Sequence, residues 1–548
     1  MSNLNELPQP GATCLPAGVT DQHGQSAFTL RFGTATADAV KTGSVTHPVN
    51  TDLAKFTDGL GSYTKALLQA SPGIVDPATF KAFLQACGIA GGGTVGDFSN
   101  PAIMRGGTAK LNGPRAALAW QQLGKDSQGY GAPLVPPAPA LDSMAYVIEL
   151  VELYWAALLR DVPFESYPTN ALAQAAAKEL SDLAAANPGQ YAGPVDAQGK
   201  VTPELLFRGG FGAKPAYFAG ETVGPYLSQF CLIPTALGRL PITQQIMTYL
   251  PGQDFMITEQ EWFNIQNGKA PTSVAAFDPV LRYMRCGRDC AAYTEVDELY
   301  QAYLVGYLVA KTVGLPTNPG NPYTTYANEQ PFGTFGGPDV AATLGAVARA
   351  AINAVWYQKW LVHLRHRPEA GGGLVHLLKT NQLNAADAAK LGNFETVINS
   401  KALQESHSRY GTYLLSQAFA EGSPTHPAYP TGHGTVAGAC ITVLKFFYDG
   451  NAPFTHAVVP SNDGLSLLPY SGSGPLTLNG ELHKLAHNIS FGHGIHAGIH
   501  WRSDTDYSML LGERVAIEFM LDQMFSYWEN FDISITLMDG TTQTFKNS

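Results

Sequence analysis

Apolar residues recur at three- and four-residue intervals in several stretches of the chain, the periodicity of helices that bury one face. Residues 141–160, 170–186 and 293–313 show it most clearly, and each predicts a helix. Loops rich in Pro and Gly separate them, the longest being 314–339. A further helix is expected to start near Val340 and to end at Arg367, because Pro368 forces the residue before it out of helical geometry. Near the end the period changes to two. Residues 533–537 and 542–545 alternate apolar with polar around an Asp539-Gly540 turn, predicting a small hairpin that serves as a lid or a subunit contact. Residues 1–50, rich in Gly, Thr and Pro, predict an irregular arm of the kind that wraps a neighbouring subunit. The fold class expected is mainly α, helical bundles with a C-terminal β-hairpin.

Composition narrows the function classes. The 548 residues correspond to about three units at roughly 100–200 residues each. We divide them into an N-terminal arm and helical region, 1–335, and a C-terminal helical bundle with the hairpin, 336–548. With 45% apolar and 14% charged residues the chain can build a large core, and its low charge points to surface covered by other subunits. A net charge of −11 argues against a nucleic-acid partner. The N-terminus has no basic head and apolar run, so no signal peptide is visible and localisation stays open. No run of about 18 uninterrupted apolar residues predicts a membrane span. The six cysteines form no CxxC pair, and Cys286 and Cys290, four apart, read as ordinary thiols.

Three segments carry candidate chemistry. In 356–369, Lys359 and Arg367 are eight positions apart, a little over two helical turns, and point into one pocket if they share a helix face. A basic, solvated helix end fits the same residues. In 426–440 a Pro-Thr-Gly-His turn runs into an apolar helix. The free N–H groups of a helix start suit an anion, Gly432 allows close approach, Thr431 adds a hydroxyl and His433 titrates near neutral pH. A Thr-capped helix with an incidental His is the plain alternative. In 488–504, His496 and His500 could face one metal at i, i+4, though no third ligand is evident. His500 with Asp504 one turn on reads equally as an oriented imidazole.

Taken together, Lys-x7-Arg-Pro, Pro-Thr-Gly-His and His-x3-Asp, in that order, resemble the signature shared by vanadium haloperoxidases and the phosphatidic-acid-phosphatase-like acid phosphatases. Seven residues before Arg367, rather than six, favour the haloperoxidase branch. Residues 220–230, 282–289 and 299–304 are similar to the algal and cyanobacterial bromoperoxidases. The resemblance implies two four-helix bundles, a homodimer or larger homo-oligomer, and a vanadate cofactor for which phosphate can substitute. It implies oxidation of bromide or iodide by hydrogen peroxide to hypohalite, which then meets an organic acceptor.

By the same resemblance Lys359, Arg367, Thr431 and Gly432 hold the oxyanion, His500 is the metal ligand, and His433 is the acid–base group. Lys359 also polarises the peroxide. Gln358 and His426 lie on the halide side, with iodide and bromide expected ahead of chloride. The family's second arginine is absent. Counted back from His500 its slot is Gly494; counted forward through Phe491-Gly492 it is His493, with one residue inserted, and His493 is read as its replacement. An acid phosphatase using the same pocket and an inactive phosphate-binding homologue are the alternatives.

Overall fold

The computed structural model describes residues 45–547 apart from 212, 213, 215 and 473. Most of the expected arm, with Cys14, lies outside the described residues. The helices that position the candidate site begin with α1, Met144–Leu159, whose start is capped by the Ser143 side chain accepting from Tyr146 N. Almost every residue of α1 is buried, as its nearly continuous apolar sequence requires. Its two acids, Glu149 and Glu152, are therefore buried charges that need partners. Asn170 caps α2, Ala171–Ala186.

The single helix expected over 293–313 is two helices, α3 (Gly287–Glu295) and α4 (Gln301–Thr312). Val296 leaves helical geometry at φ −130°, ψ 79°, and the linker after it carries Asp297 toward the site. The next helix, α5 (Gly337–Tyr357), continues as a π-helical stretch, Gln358–His363, and ends at Leu364 in the left-handed region. It stops three residues short of the expected end. Arg367 is extended, as a residue before proline should be, but it caps the start of α6, Pro368–Lys379, instead of closing α5. Gly337–His363 is long and apolar enough to cross a membrane, yet it packs against two helices of the bundle.

Two short helices, α7 (Phe394–Ile398) and α8 (Lys401–Tyr410), follow. All sixteen residues of α9, Gly432–Phe447, are buried. The helix α10, Leu478–Phe491, also runs on as a π stretch, Gly492–His496, and α11 spans Arg502–Gln523. Helix α9 is the centre of a four-helix group with α5, α10 and α11. Its approach to α11 is set by glycines on both sides. A Cβ on Gly438 would lie 2.1 Å from Met509 O, and one on Gly512 would lie 1.9 Å from Thr435 O. A second group gathers α2, α6, α7 and α8 around α1, drawing on both sides of residue 335.

The hairpin is present, with β1 (Phe531–Thr536) antiparallel to β2 (Thr542–Asn547). It is not a lid. Phe531, Ile533, Ile535 and Phe545 are buried, and Phe446 of α9 packs on Phe531 and Phe545 at 5.9 and 5.3 Å. That end of α9 is about 20 Å along the helix from Gly432 and His433.

Candidate active site

The three segments converge around residues 426–428. Lys359 sits on the π stretch that ends α5, and its Nζ donates to the carbonyls of Pro427 and Ala428, both at 2.7 Å. Arg367 Nε donates to His426 O at 2.9 Å, and Nη2 lies 2.9 Å from His426 Nδ1. Its Nη1 donates to Ile499 O at 2.9 Å and lies 2.7 Å from His500 Nε2. The pre-proline backbone of Arg367 thus aims a guanidinium at the histidine singled out as metal ligand. A π-helical interruption is frequent at functional sites, and both interruptions here carry site residues, Lys359 on one and His493 on the other.

His500 is oriented from behind. Its Nδ1 lies 2.9 Å from Asp504 Oδ2, which also accepts from Trp501 N at 3.1 Å. The other Asp504 oxygen takes Arg365 Nη1 at 2.7 Å, and Arg365 Nη2 reaches Glu149 at 2.9 Å. An ionised Asp504 makes Nδ1 the protonated nitrogen and leaves the Nε2 lone pair facing Arg367. Thr431 N donates to Asp504 O at 3.0 Å, which ties the start of α9 to the same carboxylate's backbone. Gly432, His433 and Gly434 form the first turn of α9, where N–H groups have no partner within the helix.

His493 connects the two remaining histidines. Its ring stacks on His433 at 3.6 Å and lies 5.9 Å from His500. Its Nδ1 is 3.1 Å from Thr294 O. His433 Nε2 is 3.0 Å from Asp297 Oδ1, so an ionised Asp297 leaves Nδ1 as the proton acceptor. His426 packs its ring on Trp356 at 4.7 Å.

Other candidates lie elsewhere. The Gln358 carboxamide donates to Tyr130 O and approaches His47 Nδ1 at 3.5 Å, away from the histidines; the neighbour of Lys359 on a helix points elsewhere. His496 meets Tyr226 OH at 2.8 Å, so the i, i+4 pair with His500 does not form: the π stretch and the turn after it destroy the helical register. No group of three potential metal-ligating side chains occurs among the described residues. Arg502 does not replace the absent arginine, because Glu152 takes its Nη2 at 2.5 Å and Arg208 O its Nη1. Asp297, Arg365 and Glu149 were missed from the sequence. The two acids inside the apolar run of α1 were the available signal for Glu149.

Charge is distributed unevenly here. Lys359 and Arg367 are 0% and 1% exposed, yet neither has a carboxylate within ion-pair distance among the described residues. Burial, and next the Arg367 charge, hold the Lys359 ammonium well below its ordinary range. Burial lowers Arg367 to about 10. Burial followed by Arg367 and Lys359 keeps His500 well below 6.5, and burial followed by His433 and His500 does the same to His493. Two buried basic side chains without acid partners, beside an imidazole and a helix N-terminus, form a cradle suited to a tetrahedral oxyanion, whose charge favours their protonated forms. A cleft of about 650 Å³, lined by His493 and Ile499 with Lys110, Lys269, Glu295 and Glu421, leads from solvent to this cluster.

Similarity to known proteins fits this donor set. Residues 339–530 match the family model of the second helical-bundle domain of VCPO. The vanadium-dependent bromoperoxidase of Ascophyllum nodosum is 33% identical over 95% of this chain and 92% of its own length. The chain belongs to the vanadium-dependent bromoperoxidase family. The Corallina officinalis member of that family is 32% identical over 88% of this chain and 90% of its own. Among solved structures, the second vanadate-dependent bromoperoxidase of A. nodosum, described as homohexameric, superposes with a TM-score of 0.84 at 26% identity, over 99% of this chain and 95% of that one. The bromoperoxidase fold therefore extends across both helix groups.

Proposed function

We propose that this chain is a vanadate-dependent haloperoxidase that oxidises bromide and iodide with hydrogen peroxide to hypohalite, which halogenates an organic acceptor. The observation that carries this reading is the pair of buried cations without acid partners, Lys359 and Arg367, beside the oriented Nε2 of His500. Lys359, Arg367, the Thr431 hydroxyl and Gly432 N–H hold the oxyanion, joined by His493 when the bound anion draws a proton onto its ring, and His500 Nε2 is the metal ligand. When bound, vanadate supplies a Lewis-acidic centre that activates peroxide without changing oxidation state.

The chain's own groups do the rest. Asp504 fixes the His500 tautomer, and Arg365 holds Asp504. His433, oriented by Asp297, accepts the peroxide proton at Nδ1. Lys359 places a positive charge where negative charge develops. His493 takes the part of the family's second arginine in this reading, supported by its ring stacking on His433 and lying 5.9 Å from His500. Phosphate, tetrahedral and anionic, competes for the same donors. The surroundings of Gln358 and His426 favour iodide and bromide over chloride; for Gln358 that influence is indirect. Like the hexameric relative, the protein assembles with copies of itself.

The test is direct. The protein is loaded with vanadate and given peroxide and bromide with a halogenation dye, and separately given a phosphate ester in vanadate-free buffer. Vanadate-dependent bromination supports the reading. Ester hydrolysis without bromination replaces it with an acid phosphatase, and neither activity points to a phosphate-binding homologue.

A further inference from the structure

Exposed large apolar side chains are unevenly placed. Eight of those in the described residues fall between Leu237 and Leu281, less than a tenth of the chain. Within this stretch two irregular segments pair as a short antiparallel ladder, with bridges Ile246↔Arg282 and Tyr249↔Phe277. Leu250 N donates to Ala276 O and Asp278 N to Thr248 O. The ladder brings together Met247 (57% exposed), Leu250 (40%), Phe277 (46%), Val280 (43%) and Leu281 (52%). A neighbouring turn adds Leu465 (49%), tied in by Tyr283 N donating to Gly464 O.

The charges inside this surface are already satisfied. Arg282 Nε pairs with Asp278 at 2.7 Å, and its Nη1 donates to Asp463 O at 2.7 Å. Arg285 pairs with Asp289 and also reaches Asp463 O. Three loops are thereby locked together, and the arginines between them are held by acids and carbonyls of the same chain. A rigid apolar surface of this kind suits another protein.

We propose that a second copy of this chain docks on the surface formed by Met247, Leu250, Phe277, Val280, Leu281 and Leu465. This rests on the homo-oligomeric reading above and assigns it a place. A copy of the same chain is the occupant because the homohexameric relative shares the fold over 99% of this chain. Because the arginines of this surface are paired with acids of the same chain, like can meet like with little repulsion. Six side chains cover only the centre of a stable interface, which needs about 800 Å² on each partner. They supply its apolar anchor.

The back of this surface is the wall of the active site. Phe277 stacks on Tyr249 at 4.8 Å, and Tyr249 is buried with Phe419, Ala497 and Ile499 in one small core. Ile499 precedes His500 and accepts from Arg367. Thr248 donates to Asp289 of α3 at 2.7 Å, and α3 carries the Thr294 carbonyl that faces His493. Docking at the surface thus steadies two supports of the pocket histidines.

The experiment measures mass in solution by light scattering at micromolar concentration for the full chain, Met247→Lys/Leu281→Lys, and Phe332→Lys. Phe332 is 75% exposed in a different loop. The expected result is an oligomer for the parent chain and for Phe332→Lys, and at least a twofold lower mass for the double variant with an unchanged circular-dichroism spectrum. A monomeric parent overturns the homo-oligomeric reading itself. An oligomeric parent whose mass the double variant retains overturns only this surface. Should the double variant not fold, Leu281→Cys labelled with a maleimide decides. Labelling slowed tenfold or more relative to Phe332→Cys supports the interface, and equal rates overturn it.

Discussion

Arg365 and Arg367 are separated by a single residue, equally buried, and surrounded in opposite ways. Arg365 lies between Glu149 and Asp504 at 2.9 and 2.7 Å. Despite burial, these acids raise its pKa. Arg367 touches carbonyls and two imidazoles but no acid, and burial lowers it to about 10. A paired buried charge is structure. An unpaired one is a binding site, because the free energy withheld in the protein is available to an anion. The molecule keeps both within one turn of chain, so the anion's partner lies beside an arginine whose charge is already met by two acids.

Removing Arg365 tests the structural half, and the effect should be the largest. Arg365→Leu leaves Glu149 and Asp504 buried without a cation, and a loss of about 3–5 kcal/mol is expected in denaturant unfolding. A loss under about 1 kcal/mol would mean that the two acids are satisfied in another way.

Arg367→Leu should do the reverse. Stability without anion is expected to hold or rise, while affinity for vanadate or phosphate falls about ten- to a hundred-fold, the worth of one charged hydrogen bond. Isothermal titration with each anion reads this separately from turnover. Equal stability losses in Arg365→Leu and Arg367→Leu would erase the contrast.

Asp504→Asn lies between the two. The amide keeps the shape but no longer dictates which His500 nitrogen carries the proton. Anion affinity should fall about tenfold, within the range for such supporting groups. Unfolding should also weaken, since Arg365 then faces one acid instead of two. If affinity is untouched, Asp504 is a scaffold only.

Glu295 offers the mildest case, an unpaired acid in the cleft. Burial, and then the Glu421 charge, raise its carboxyl to about 7. Lys65, Lys110, Lys269 and His493 line the same cleft. Between about 4.5 and 7 the folded protein holds a proton that the unfolded chain has released, so this group's contribution to stability falls as pH rises through that window and then levels off. Glu295→Gln should therefore gain on the order of 1 kcal/mol over the parent at pH 8, after allowance for solvent, and nothing at pH 4. Parallel melting curves across that range would show Glu295 to be normally solvated.

The sequence disclosed the ends of elements well where local chemistry decides them. Asn170 caps α2, Pro368 holds Arg367 extended, and the Pro-Thr-Gly-His turn starts α9. It misled where tertiary contacts decide. Apolar spacing ran unbroken across Val296, yet the chain opens there and brings Asp297 to His433. Lys359, Arg367, His433 and His500, which the structure brings close together, could be picked out because each lies in a short motif, and His493 because it stands beside one. Their supports were not, since Glu149 and Arg365 are 216 residues apart in the chain and nothing local joins them. Gln358 was read as facing the pocket from its place beside Lys359, but adjacency along a helix separates side chains.

The π stretch at Gly492–His496 has a bearing on descent. A π turn holds one residue more than an α turn, and the inserted residue that the family resemblance implies between Phe491-Gly492 and His500 falls in this segment. On that reading the extra residue is taken up as a local bulge between the end of α10 and His500. An arginine's slot could thus pass to a histidine one position along while His500 kept its address. An alignment with its relatives is then expected to place the gap inside this bulge and not at the loops on either side.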